Sequence, residues 1–354
     1  MTSTRWTWLG ALAVLAAAAV AGALLLRSDS EDAPPPVRFG FNNNAVAEGI
    51  ASPEQTAALI ASLGGRIDRV QLGWDRLEPR RGDHDWSLPD AIYAADREHG
   101  IQPLFNLAFA PEWANGGVCP EGVPGCHAAP TAEHFGDYAR TAAALARRYP
   151  EAVGIEVWNE PNLPYFWNPQ PDPAAYSELL EVTYRAVKAA APKMTVAGGA
   201  TASSEIERPG QFLDVEFLRE IERNGALDAM DAVSLHAPLE QHDPTAGTAV
   251  LDVEEVREAL PSGGDLPLWV TETGITTTGE RAISPAGQGL AAINLSERLP
   301  EIPGVEMVLI HTLVDASNYG PTHPETGYGV VAPDLSPKPA FCAVARAWGG
   351  EACP

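Results

Sequence analysis

Gly154-Ile155-Glu156-Val157-Trp158-Asn159-Glu160-Pro161-Asn162 begins as a short apolar run and ends on two polar residues and a proline. A run this short, rich in β-branched and aromatic side chains, reads as a buried strand, and Pro161 stops it. Leu268-Trp269-Val270-Thr271-Glu272-Thr273-Gly274 has the same design and places Glu272 112 residues after Glu160. Strand candidates of this kind recur at 38–42, 69–74, 102–107, 154–158, 195–198, 232–236, 268–271 and 305–312. Helical signals fill the gaps. Ser52-Pro53-Glu54-Gln55 reads as a helix cap with proline in the first turn. Phe135, Tyr138, Ala139, Ala142, Leu145 and Ala146 fall at helical spacing within 132–149, and 173–191, 250–260, 286–299 and 338–348 read similarly. Eight βα units predict an α/β chain folded as a (β/α)8 TIM barrel, in one catalytic domain over 37–354. The rival fold, a doubly wound open sheet, needs a Gly-rich phosphate loop after the first strand. Asn42-Asn43-Asn44 stands there instead.

The chain has 354 residues, 45% hydrophobic and 20% charged, with 32 Gly and 32 Pro, which excludes a disordered, collagen-like or coiled-coil protein. A formal charge of −24 repels phosphate backbones, so no nucleic-acid partner is expected. Residues 6–26 carry no charge, and about 20 apolar residues suffice to span a bilayer. The stretch 1–27 therefore reads as an N-terminal membrane anchor, with attachment through residues 6–26. The other reading is a secretory signal, with Val20-Ala21-Gly22-Ala23 as a weak cleavage site. A buried helix fits less well, because the stretch is not amphipathic. Residues 28–36, acidic and then Pro34-Pro35-Pro36, read as a linker. Both leading readings export the rest of the chain, as an extracellular or cell-surface protein expected to be monomeric.

Four cysteines agree with export. Local pairing, Cys119 with Cys126 and Cys342 with Cys353, would pin a loop and a terminus in an oxidising compartment. Free buried thiols are the alternative. A zinc site is disfavoured, because no Cys-x-x-Cys and no His-x-x-x-His spacing occurs. Neither a metal nor a cofactor is called for.

The C-terminal ends of barrel strands form the active face. Taken in order they are Asn42, Trp74, Asn106, Asn159-Glu160, His236, Glu272 and His311. Glu160 and Glu272 close the fourth and seventh strands, whose ends can face each other across the mouth. Paired carboxylates suit glycosidic bond cleavage: one protonates the leaving oxygen while the other attacks or stabilises the sugar. Their environments must differ, so that one stays protonated and the other ionised. Two other readings are a barrel that has lost activity and only binds carbohydrate, and a metal- or phosphate-dependent barrel enzyme. The second lacks a ligand cluster and a phosphate loop in the sequence.

Trp158-Asn159-Glu160-Pro161 and Trp269-Val270-Thr271-Glu272-Thr273-Gly274 resemble the strand-four and strand-seven signatures of the retaining (β/α)8-barrel glycoside hydrolases of clan A. Arg69-Val70-Gln71-Leu72-Gly73-Trp74 with Leu77-Glu78-Pro79 resembles the clan's strand-two pattern. Tyr328-Gly329-Val330-Val331 followed by Ser336-Pro337-Lys338-Pro339-Ala340 is similar to the β-xylosidase-like family thirty-nine, a group that includes bacterial exopolysaccharide endo-hydrolases. The resemblance also takes in the cellulase-like family five and covers most of 37–348. It implies a carbohydrate substrate, Glu160 as acid/base, Glu272 as nucleophile and Asn159 on the sugar 2-hydroxyl. Arg69 would brace Glu272 and His236 would line the same subsite. Trp74, Trp113, Trp167 and Phe166 are candidate sugar platforms, since aromatic rings offer flat apolar faces. Asn106 and His311 complete the expected substrate-binding set. Two positions depart from the clan: Pro238 stands where a tyrosine is common, and His311 stands near the usual strand-eight tryptophan.

Overall fold

The computed structural model describes residues 36–118, 127–203, 210–239, 243–260 and 265–353. Residues 6–26 and the pair Cys119 and Cys126 lie outside the described residues. No helix among the described residues is long and apolar enough to cross a membrane.

Eight parallel strands close into a barrel in sequence order. They are β1 (Arg38–Asn42), β2 (Ile67–Gly73), β3 (Gln102–Ala108), β4 (Gly154–Val157), β5 (Val196–Ala202), β6 (Ala232–His236), β7 (Leu268–Thr273) and β8 (Val305–His311). The helices among the described residues are α1 (Pro53–Ser62), α2 (Trp74–Leu77), α3 (Ser87–Glu98), α4 (Phe135–Arg148), α5 (Pro173–Ala190), α6 (Asp214–Arg223), α7 (Gly247–Ala259), α8 (Pro285–Arg298) and α9 (Pro339–Trp348). The expected strands all form, with ends shifted by a few residues. The expected helices form too, and α2, α3 and α6 stand beside them.

Local chemistry starts the helices. Ser52 and Gln55 make a reciprocal capping box at α1. Asp172 caps α5 and Ser284 caps α8, each followed by proline in the first turn. The spacing in α4 holds, for Phe135, Tyr138, Ala139, Ala142, Leu145 and Ala146 are all buried. Each such large apolar side chain stabilises the fold by about 1.5–3 kcal/mol. Cys342 in α9 is bonded to Cys353, tying the last helix to the C-terminal tail.

Inside the barrel, Ile67, Leu104, Trp269, Met307 and Leu309 belong to one buried apolar cluster. Trp269 fits because β4 begins with Gly154, where a Cβ would sit 3.2 Å from the indole. Two residues further along β2 on the same face comes Arg69, so polar groups replace apolar ones toward the mouth. Register then sets the neighbours. Asn42 pairs with both Arg69 and His311, Asn106 with Glu156, and His236 with Glu272 across a shift in the β6–β7 ladder.

The opposite face of β2 carries an acid. Asp68 is buried, with one oxygen accepting from the Asn43 amide at 3.3 Å and the other unpartnered. Asp96 of α3 is also buried and has an unpartnered oxygen. Burial raises both carboxyls above the ordinary range, and the charge of Asp68 raises Asp96 further. A raised folded-state pKa contributes stability that is complete below the unfolded value near 3.9 and is lost as pH climbs through the folded value. Asp96→Asn removes one titrating group without changing shape. Its melting temperature should exceed the parent's by about 2 °C or more at pH 9, with the gap narrowing at pH 5. Thermal melts at the two pH values check this, and an equal gap at both would count against a raised Asp96 carboxyl.

Candidate active site

Arg69 organises the mouth of the barrel. Its side chain is fully buried, and its five N–H groups point to five side chains. Nε donates to Glu156 at 2.7 Å, and Nη1 donates to Asn42 at 2.7 Å and to Glu272 at 2.6 Å. Nη2 donates to Asn159 at 2.9 Å and faces His236 Nε2 at 3.4 Å. Burial opposes the guanidinium charge, and Glu156 and Glu272 outweigh it. Glu156 is itself held by Asn106 at 2.8 Å.

The hydrogen bonds assign both imidazoles, since a guanidinium can only donate. His236 Nε2 therefore accepts, which leaves Nδ1–H to donate to Glu160 at 2.8 Å. The Asn42 amide turns its oxygen to Arg69 and its NH2 to His311 Nδ1 at 2.8 Å. His311 Nε2–H then donates to Glu325 at 3.0 Å. Burial disfavours a charge on His311, whereas Glu325 and Glu272 favour one and raise its pKa to about 9. A charged ring offers Nδ1–H to Glu272, 3.5 Å away, in place of the contact with the Asn42 amide.

Glu160 and Glu272 have side chains 16% and 19% exposed, in contrast to Glu156 at 0%, so these two, unlike Glu156, face the mouth. A carboxylate oxygen of each lies within 4.8 Å of the other and of a His236 nitrogen. Burial would raise the Glu272 pKa, but His236, Arg69 and His311 together hold it well below the usual carboxylate range. Three ligand atoms this close could reach one cation, but the Arg69 guanidinium at 2.6 Å from Glu272 works against a second positive charge.

Backbone geometry delivers these groups. Trp158 and Glu160 sit in the left-handed region at φ 67° and 45°, each costing about 1–3 kcal/mol. Bonds from Trp158 N to Leu107 O at 3.0 Å and from Glu160 N to Ala200 O at 2.9 Å hold the bend. Gly274 lets β8 come close, for a Cβ there would lie 2.4 Å from the His311 carbonyl oxygen. That approach sets His311 Nδ1 3.5 Å from Glu272.

The structure thus brings Glu160, Glu272, Asn159, Arg69, His236 and His311 together. Three expected sugar contacts are buried instead. Trp74 is wholly buried, its indole donating to Glu78 at 2.7 Å, and Trp167 is 4% exposed against Trp158 and Tyr176, so neither offers a face to a sugar. Asn106 is fully buried on Glu156 and braces the wall instead of touching substrate. Arg69, also fully buried, acts through Glu272, Asn159 and His236. Trp113 is half-buried, edge-on to Trp74 and bonded to the Glu78 carbonyl, outside the Arg69 network. Glu156 and Glu325 were missed. A lone acid inside the apolar β4 run was a usable signal for Glu156, because a buried charge demands a partner. Nothing local marks Glu325, which lies in a single 3-10 turn, Pro324–Thr326, after β8.

A closed parallel barrel with carboxylates at the ends of β4 and β7 is the arrangement expected of the clan A (β/α)8 glycoside hydrolases. The profile of glycosyl hydrolases family 39 matches residues 84–285, more than half of the chain, and the chain belongs to that family. It is similar to a family 39 glycoside hydrolase from the gut symbiont Bacteroides cellulosilyticus WH2, with 22% identity and a TM-score of 0.69 over 88% of this chain and 63% of that one. The chain thus spans less than two thirds of that structure. A family 39 β-xylosidase from Caulobacter crescentus is 25% identical, with a TM-score of 0.63 over 89% of this chain and 72% of that one. A family 5 subfamily 18 protein from Streptomyces cattleya, in complex with Manb1-4GlcNAc, shares the fold at 20% identity and a TM-score of 0.69, covering 89% and 80%. No curated protein sequence matches the chain.

Proposed function

We propose that this protein is a retaining glycosidase that cleaves O-glycosidic bonds of an oligosaccharide or polysaccharide by double displacement. The observation that carries it is the approach of Glu160 and Glu272 oxygens to within 4.8 Å. Retaining enzymes set their carboxyl groups about 5–5.5 Å apart, whereas inverting ones leave room for a water at about 6.5–9.5 Å. Glu272, kept ionised by Arg69, attacks the anomeric carbon. Glu160 gives its proton to the leaving oxygen while His236 Nδ1–H holds its other oxygen. The sugar is then an ester of Glu272. Water, losing a proton to Glu160, attacks the same carbon and frees Glu272. Arg69 occupies the Asn159 carbonyl oxygen, so the Asn159 NH2 is the part turned to a sugar 2-hydroxyl. We infer export as well, since a disulfide such as Cys342–Cys353 belongs to an oxidising compartment.

The test is reducing-end release from β-linked glucans, xylans, mannans, galactans and bacterial exopolysaccharides, with Glu272→Gln as control. The parent should release sugar from at least one polymer, and the variant should be slower by about 10³-fold or more. Silence of the parent on every polymer, or equal rates for both proteins, would overturn the assignment.

A further inference from the structure

Four aromatic rings beside the mouth have no part in the chemistry above. Phe109 follows β3, and His127, Tyr165 and Phe166 lie in the β3→α4 and β4→α5 loops. The Phe109 and His127 rings are 4.2 Å apart, and His127 and Phe166 are nearly parallel at 5.7 Å and 11°. Tyr165 meets Phe166 edge-on at 4.8 Å and stays 54% exposed. The group is anchored, not draped. Trp158 Nε1 donates to the Phe166 carbonyl at 2.9 Å, and Asn168 N donates to the His127 carbonyl at 3.1 Å. Burial holds the His127 imidazole below its ordinary pKa, so it stacks as a neutral ring.

We propose that Tyr165, Phe166, His127 and Phe109 form a binding subsite for an uncharged pyranose ring of the leaving-group portion of a polymeric substrate. The proposal rests on the glycosidase reading above. Glu160 protonates the leaving oxygen, so the departing sugar lies on the Glu160 side of the scissile bond. Tyr165 and Phe166 hang from the loop that carries Glu160, through Leu163 N to Glu160 O at 3.0 Å and Phe166 N to Leu163 O at 3.1 Å. A second stacked pair, Tyr319 and His323 at 4.3 Å and 15°, stands in the loop after β8. Burial, with the charges of Glu325 and Glu48 nearby, raises the Tyr319 hydroxyl pKa. Those carboxylates disfavour an anionic sugar, and pyranose C–H faces pack well on aromatic rings. Tyr165 is the exposed member of this pinned group and the ring a ligand would meet first.

The test compares the parent, Tyr165→Ala and Tyr165→Phe on two substrates: the polymer cleaved in the release panel, and the matching β-glycosyl fluoride. The fluoride leaves as a single atom and has no ring to stack. Tyr165→Ala should lower kcat/KM on the polymer by about 10-fold more than on the fluoride, and Tyr165→Phe should restore the parent ratio. Equal losses on both substrates, or no loss on the polymer, would overturn the subsite. Binding separates this from the glycosidase reading. If the parent cleaves nothing, the Glu272→Gln protein is tested by affinity electrophoresis against the same polymers, alone and with Tyr165→Ala added. Retardation that Tyr165→Ala abolishes supports the platform while the glycosidase reading fails. Absence of retardation by every polymer, or retardation indifferent to Tyr165, overturns the platform.

Discussion

A Glu160→Ala variant is expected to lose about 10²–10⁴-fold in kcat/KM on the polymer and much less in kcat/KM on the matching β-glycosyl fluoride. The asymmetry follows from the first step. A sugar alkoxide is a poor leaving group and needs the Glu160 proton, whereas fluoride leaves without it. Glu272→Gln should slow both substrates, because each needs the same attack on the anomeric carbon. The contrast therefore separates the two carboxylates by role. Stopped assays on the polymer and fluoride-electrode assays on the fluoride read it directly. Equal losses for Glu160→Ala on both substrates would remove its assignment as the acid.

Arg69→Met should be the most damaging change of a residue that never touches substrate. It leaves Glu156, fully buried, and Glu272 without their counter-charge. Removing one partner of a buried pair costs about 3–5 kcal/mol. Denaturant melts should register that loss, and turnover should vanish with it, because Glu272 is no longer held ionised and Asn159 and His236 lose their common anchor. Adding Glu156→Gln should recover part of the stability, since the stranded charge disappears. Activity should not return, because Glu272 is still unbraced. Arg69→Lys is no conservative substitute, for an ammonium has three donors and Arg69 directs five. An Arg69→Met protein as stable as the parent would show that the buried charges are satisfied in some other way.

Much of this site was legible before any coordinates. Asn159, Glu160, His236, Glu272 and His311 stand at or just past strand ends, and strand ends are found by short apolar runs and by the polar and turn residues after them. Residues that depend on packing direction were read less well. Trp74 and Trp167 have the right chemistry for sugar stacking, but their faces are spent on Tyr138, Trp158 and Tyr176. Tyr165, more exposed than either, carried no motif. Asn106 sits near a strand end yet points at Glu156, its register partner on β4.

The alternation of eight strand and helix signals was enough, by itself, to define the barrel and the rim on which its polar residues gather, because hydrophobic period and helix caps are local properties of the chain. Only the tertiary structure decided that Arg69, 203 residues before Glu272, would hold it at 2.6 Å. Closure of β8 onto β1 brought Asn42 between Arg69 and His311, and the register shift between β6 and β7 set His236 opposite Glu272. Such distances depend on strand stagger and barrel closure, which arise from the packing of the whole sheet and leave no local mark in the sequence.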